Sequence, residues 1–180
     1  YKPLYQAQNA SCAIFVAEEY LGRALDTDAL AASLATCPTP GRFDVLQNEP
    51  LILIDACHNP QSCENFVSSL DEINPNAALR PLLLTAALAD KDVSGIVDVL
   101  VPAFPRIVVT QTASDRAILA QDLAQLVLDK LEELGRPSSD LVEVVPSVPD
   151  AVGRLTAAGE AFVAAGTITL AGEVAGIMRG

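Results

Sequence analysis

Leu51-Ile52-Leu53-Ile54-Asp55-Ala56-Cys57-His58-Asn59-Pro60 is the stretch on which the reading of this chain turns. Four consecutive aliphatic residues are too few for a helix, and no polar residue alternates with them, so they fit a strand covered on both faces. The run ends on a carboxylate and a short polar segment. Asn59 is a helix-capping residue type, and Pro60 suits the first helical position because its missing N–H would be unsatisfied there anyway. A helix over Pro60–Ile73 therefore follows, with Cys63, Phe66, Val67 and Leu70 at the i, i+3, i+4, i+7 spacing of one buried face. Strand, polar turn and helix make the repeating unit of a parallel sheet.

The same alternation extends outward. Upstream, residues 6–22 read as an amphipathic helix with Ala10, Ile14, Ala17 and Leu21 on one face, Glu18 and Glu19 facing away, and Gly22 as the stop. A short helix over 28–35 follows, then the breaker Cys37-Pro38-Thr39-Pro40-Gly41 and a strand over 42–46. Downstream the expected order is strand 80–88, helix 93–104, strand 106–110 and a long helix 116–134. That helix carries Leu119, Leu123, Val127, Leu131 and Leu134 on one side and ends at Gly135-Arg136-Pro137. A strand over 141–145, a helix over 148–164, a strand over 166–170 and a short closing helix complete the series. The fold expected is α/β: a doubly wound, mostly parallel sheet with helices on both faces, in one domain spanning residues 1–180.

Composition narrows the function classes. The 180 residues carry 11 Lys+Arg against 23 Asp+Glu, a formal charge of −12, with 51% hydrophobic residues. A chain this apolar buries a full core and is not disordered. Nucleic acid is excluded as a partner because its phosphates need clustered cations, and an anionic membrane surface is disfavoured likewise. No apolar run approaches the ~20 residues of a membrane span, and Tyr1 to Gln8 lack the basic start and apolar centre of a signal peptide. A cytoplasmic, soluble protein is expected, and because the chain opens on Tyr1 rather than Met, a larger protein continuing upstream. Cys12, Cys37, Cys57 and Cys63 are expected as reduced thiols, since a domain of this size needs no staples. Cys57, His58 and Cys63 lack the paired spacing of a zinc site, so no metal is expected on them.

Ligands of doubly wound sheets bind beyond the carboxyl ends of the strands. The first polar stretch at such a position holds Asp55 and His58, the only histidine, before a helix start whose N–H groups and dipole favour an anion. The second, Pro40-Gly41-Arg42-Phe43, presents one of eight arginines, a fork that matches phosphate or carboxylate oxygens. The third and fourth are Ala89-Asp90-Lys91-Asp92 and Gln111-Thr112-Ala113-Ser114-Asp115-Arg116. There Lys91 reads as a solvated turn beside a helix cap at Asp92, and Arg116 as a first-turn residue paired with Asp115. No phosphate-cradling GxxxxGK[ST] loop, dinucleotide fingerprint or GxSxG elbow occurs.

Taken in order, Pro40-Gly41-Arg42-Phe43, Asp55-Ala56-Cys57-His58-Asn59-Pro60, Asp90-Lys91-Asp92 and Ala165-Gly166-Thr167-Ile168-Thr169-Leu170 resemble the C-terminal domain of the folylpolyglutamate synthase and dihydrofolate synthase family, within the Mur ligases. Gln6-Ala7-Gln8-Asn9-Ala10 resembles the HQxxNA helix of that family, and the likeness covers essentially the whole chain. The most specific element is D-[GA]-A-H-N-P after an aliphatic strand. The resemblance implies an ATP-dependent ligase that activates a folate or dihydropteroate carboxylate as an acyl phosphate, which the amino group of L-glutamate attacks. It implies an N-terminal ATPase domain carrying the P-loop and the Mg2+ ligands. It also implies ATP contacts by Asn9 (adenine edge), Arg42 (phosphates) and Asp55 (ribose hydroxyls), and glutamate contacts by His58 and Thr167. Three positions depart from the family pattern: Tyr5 stands for His, Cys57 for Ala and Thr167 for Ser. The alternatives are the C-terminal domain of a peptidoglycan-precursor Mur ligase and a non-catalytic anion-binding α/β module. Because the chain has no P-loop, it is expected to be inactive alone: glutamate-dependent phosphate release from the purified 180-residue chain would overturn this reading.

Overall fold

A computed structural model describes residues 3–136 and 139–180. The chain divides into two compact units, one ending at Pro40 and one running Gly41–Gly180. The break falls on the Cys37-Pro38-Thr39-Pro40 segment, whose prolines exclude helix.

The first unit is a pair of helices, α1 (Leu4–Leu21) and α2 (Thr27–Thr36). Gly22 closes α1 in the left-handed conformation (φ 63°), with its N–H on the Glu18 carbonyl, and the Asp26 carboxylate caps α2 by accepting the Ala29 N–H at 2.8 Å. The anticipated apolar face of α1 is only partly formed. Ala10, Ile14 and Ala17 are half-buried, but Leu21, Phe15, Val16 and Tyr20 are exposed. Glu18, read as facing away, is half-buried and accepts the Leu25 N–H at 2.9 Å.

The second unit is built on a six-stranded sheet. Its elements are β1 (Asp44–Asn48), β2 (Leu51–Ile54), α3 (Pro60–Ile73), β3 (Leu82–Thr85), α4 (Val93–Leu100), β4 (Ile107–Val109), α5 (Ala120–Glu133), β5 (Val142–Val144), α6 (Val148–Ala157), β6 (Phe162–Ala165) and α7 (Ile168–Arg179). The strand order is β1-β2-β6-β3-β4-β5, with β1 antiparallel to β2 and every other pairing parallel. Side chains alternate between two cores. Leu53, Leu83, Ile107, Val109 and Val163 pack with α3, α4 and α5, while Ile52, Ile54, Leu82, Leu84, Val108 and Phe162 pack with α6 and α7. The sheet is doubly wound and mostly parallel, as the aliphatic runs implied; burial on both faces is worth about 1.5–3 kcal/mol for each such side chain.

β2 and α3 match the expected boundaries, and most other elements do within a few residues. The last third does not. The helix expected over 148–164 stops at Ala157, Gly159 turns the chain at φ 67°, and Phe162–Ala165 is a strand in the middle of the sheet. The segment 166–170, expected as a strand, is instead the turn and first residues of α7, capped by Thr167. Likewise α5 begins at Ala120 rather than 116. Ala117 bridges Leu88, the Ala89 N–H bonds the Arg116 carbonyl, and Leu119 ahead of the helix is 54% exposed. The helix from Val93 gives way at Leu100 to a 3-10 turn, Val101–Ala103, in which Pro102 supplies no N–H. Arg42 and Phe43 precede β1 instead of opening it. Pro137 lies outside the described residues.

Gly166 joins β6 to α7 at φ 125°, where a Cβ would stand 2.6 Å from the Ala86 carbonyl oxygen and 2.7 Å from Thr85 Oγ1. Both neighbours are fixed by the sheet, Thr85 Oγ1 itself donating to the Ala165 carbonyl at 2.8 Å. Gly166→Ala combines backbone strain with a steric clash and is expected to cost roughly 2–5 kcal/mol. Urea denaturation measures this, and an unchanged midpoint would show that the turn accommodates a side chain.

Candidate active site at the carboxyl edge of the sheet

Four of the five residues singled out from sequence lie in the second unit: Arg42 before β1, Asp55 and His58 after β2, and Thr167 after β6. Asn9 lies on α1 of the first unit, with its side chain exposed.

Asp55 is 2% exposed. Its Oδ2 accepts the Phe43 N–H at 2.8 Å and its Oδ1 the Cys57 N–H at 2.9 Å, so one carboxylate ties the Arg42 turn to the His58 loop. The turn is held elsewhere too: the Ala56 N–H bonds the Gly41 carbonyl at 2.8 Å, and the Gly41 N–H donates to Asp44 Oδ2 at 2.9 Å. Phe43 adopts φ 46°, a left-handed conformation that costs a side-chain-bearing residue about 1–3 kcal/mol. Its ring offsets this by burying itself against Phe66, 5.7 Å between centroids. Arg42, between Gly41 and Phe43, is half-buried, and its guanidinium forms no hydrogen bond or ion pair with any described residue. Every other described lysine or arginine has a partner: seven pair with carboxylates, while Arg23 and Arg136 donate to backbone carbonyls.

His58 is half-buried, with Nδ1 3.0 Å from the Ala56 carbonyl oxygen. That acceptor requires a proton on Nδ1, so in the neutral ring Nε2 carries the lone pair, and only the imidazolium donates from it. The helix start is more closed than its sequence implied. Asn59 Oδ1 accepts the Ser62 N–H at 2.8 Å, and Ser62 Oγ accepts the His58 and Asn59 N–H groups at 3.0 and 3.2 Å. Pro60 has no N–H, and the Cys63 N–H bonds the Asn59 carbonyl, which leaves Gln61 as the first-turn donor. Ser62 went unread in the sequence, although a hydroxyl three residues after a capping Asn was its signal. Thr167 is 1% exposed; its Oγ1 caps α7 by accepting the Thr169 N–H at 3.4 Å and keeps its own proton for a further acceptor.

Cys57 and Cys63 are buried and unbridged. Its hydrogen bond with Cys63, followed by burial, pushes the Cys57 thiol up from its ordinary pKa, so it stays protonated near neutrality and packs as a small residue. Among the described residues no group of three or more His, Cys, Asp or Glu side chains is placed to hold a metal. Nor is any described helix long and apolar enough to cross a membrane. Asp92 caps α4 through the Gly95 N–H, whereas Arg116 pairs with Asp90, which also takes Lys91, and not with Asp115. A cleft of about 560 Å³ opens beyond β4 and β5, lined by Gln111, Thr112, Ser147 and Glu173 among others; it includes none of the five residues.

A polar crest at the carboxyl ends of a doubly wound sheet, with one guanidinium that has no partner among the described residues, stands where α/β domains of this kind bind their ligands. Residues 41–170 match the family described as Mur ligase, glutamate ligase domain, and the chain belongs to that family. It is 34% identical to the dihydrofolate synthase/folylpolyglutamate synthase of Mycobacterium tuberculosis over 97% of this chain and 38% of that protein. The structure of M. tuberculosis folylpolyglutamate synthase complexed with ADP and AMPPCP superimposes with a TM-score of 0.86 at 28% identity, over 98% of this chain and 40% of that one. The bifunctional folylpolyglutamate synthase/dihydrofolate synthase of Yersinia pestis, complexed with AMPPNP and a Mn ion, shares the fold at a TM-score of 0.70 and 19% identity, over 86% of this chain and 35% of that one. The chain thus spans about two-fifths of the length of these relatives.

Proposed function

We propose that this chain is the C-terminal, glutamate-ligase domain of an ATP-dependent folate ligase, and that it works together with an N-terminal ATPase domain of the same protein. The reaction would join L-glutamate to tetrahydrofolate, and to dihydropteroate if the enzyme is bifunctional, through an acyl phosphate. The observation that carries this reading is Arg42, the one described cation without a partner, fixed on a turn whose backbone is held on both sides. Relatives crystallised with ADP, AMPPCP or AMPPNP support ATP as the ligand.

The residues present suit the parts assigned to them. A half-buried, unpaired guanidinium is ready to fork onto phosphate oxygens without first breaking an ion pair. Asp55 is an acceptor-only carboxylate at the same rim, the chemistry that two ribose hydroxyls require. Asn9 offers an amide to an adenine edge. The Thr167 hydroxyl proton and His58 Nε2 are proposed to meet the incoming glutamate. With Nδ1 committed to Ala56, Nε2 donates to a carboxylate only as the imidazolium, while the neutral ring accepts from the ammonium group. Mg2+ would supply charge neutralisation at the phosphates, and its ligands are proposed to lie in the ATPase domain.

In the intact ligase, Arg42→Ala is expected to lower turnover by about 10²-fold while leaving folate affinity near its parental value, because the guanidinium acts where phosphate charge develops. Parental turnover at saturating ATP would refute the role. His58→Ala is expected to remove a hydrogen bond to a charged group, a loss of about 1.5–3 kcal/mol, or roughly ten- to a hundred-fold in efficiency, seen mainly in the glutamate constant. An unfolded variant would assign His58 to packing. A raised ATP constant with an unchanged glutamate constant would assign it to the nucleotide.

A further inference from the structure

Phe43 and Asp55 stand twelve residues apart in sequence, and the Asp55 carboxylate bonds both the residue after Arg42 and the residue before His58. Its bond to Cys57, two residues on, is a local turn that the sequence would form by itself. Its bond to Phe43 is different: it joins two segments, and it reaches a residue held at φ 46°. Three further contacts surround Arg42. The Gly41 carbonyl takes the Ala56 N–H, the Gly41 N–H is on Asp44, and Asp44 is held in turn by Arg179 at 2.8 Å. Arg42 is therefore the free side chain of a peptide segment fixed immediately before and after it. The carboxylate that fixes the far side is 2% exposed.

We infer that Asp55 is a positioning residue for Arg42: by taking the Phe43 and Cys57 N–H groups on one carboxylate, it sets where the guanidinium starts from and ties its turn to the His58 loop. This rests on the reading of Arg42 as a phosphate contact, and it is separate from any contact Asp55 makes with ribose. A carboxamide cannot reproduce the clamp. Asparagine has one acceptor oxygen, so in Asp55→Asn the NH2 group is set against one of the two N–H donors. The local turn to Cys57 keeps the oxygen, and the Phe43 N–H loses this acceptor.

The first test needs neither ATP nor a second domain. Amide hydrogen exchange on the 180-residue chain should find Phe43 and Cys57 protected, and Asp55→Asn should speed Phe43 exchange at least tenfold while Cys57 and the β3 amides hold. A folded Asp55→Asn chain with Phe43 still protected would overturn the inference. If that variant does not fold, the parent chain decides, since Phe43 exchanging at the open-chain rate would overturn it equally. The second test uses the intact ligase with ATP and with 2′,3′-dideoxyATP, which has no ribose hydroxyls. Asp55→Asn is expected to cut turnover tenfold or more with both nucleotides and to add nothing in an Arg42→Ala background. Parental turnover with the dideoxynucleotide would confine Asp55 to ribose binding, and an undiminished effect in the Arg42→Ala background would make its role merely structural; either result overturns the proposal. Parental turnover in Arg42→Ala alone would instead remove the ligase reading, while the exchange of Phe43 would still report on the clamp.

Discussion

A carboxylate buried at a strand end is costly unless hydrogen bonds replace its lost hydration, and Asp55 receives two from backbone N–H groups. The exchange works in both directions. The loop donors are satisfied without water, and the carboxylate is kept away from the surface. Two segments that leave the sheet separately, the Pro40–Phe43 turn and the loop before α3, thereby become one rigid rim. The left-handed backbone of Phe43 is tolerable only inside that arrangement, because an isolated turn would relax it. Arg42 and His58 inherit their positions from bonds made by their neighbours, and their own side chains remain available to a ligand.

The sheet beneath makes such a rim possible. β2 lies between β1 and β6, and Ile52, Leu53 and Ile54 of its aliphatic run divide between the two cores. Asp55 continues this strand, its N–H bonding the Ala164 carbonyl of β6 at 3.0 Å. The next crossing, at Gly166, brings β6 and β3 so close that no side chain fits between them. Thr167 follows directly, so its hydroxyl is placed by the same close approach that excludes a Cβ at Gly166. Cores that pack on both faces move little, and the loops at the carboxyl edge are short enough to share that rigidity.

How far the sequence could be read depended on whether local and tertiary signals agreed. In the stretch from Leu51 to Ile73 they did: an aliphatic run, a capping Asn, a Pro at the first helical position and a periodic stripe all point one way, and both boundaries match. Around Phe162-Val163-Ala164-Ala165 they conflicted. Two alanines and the preceding helical periodicity favour helix, and only the sheet on either side makes these residues a central strand. The β-branched Thr167, Ile168 and Thr169 misled in the opposite sense, since a Thr that caps a helix has the same letter as one in a strand. Arg42, Asp55 and His58 were legible as residues at strand ends, whereas Thr167 stood inside an expected strand and entered only through the family resemblance. The bonds of Asp55 to Phe43 and of Arg116 to Asp90 join distant segments, so no spacing could reveal them.

A formal charge of −12 repels phosphates and glutamate at long range, so any attraction has to be local. The distribution of cations meets that requirement. Lys91, Lys130 and the arginines at 80, 106, 116, 154 and 179 are all paired with carboxylates, mostly at or near the surface, where such pairs are worth little and salt screens them. They add almost nothing to the field at the rim. Among the described residues no acid pairs with Arg42, and its half-burial limits screening by solvent. The acidic background then works for discrimination. At the rim an anion would meet that fork, whereas most other described cations present themselves already paired with carboxylates.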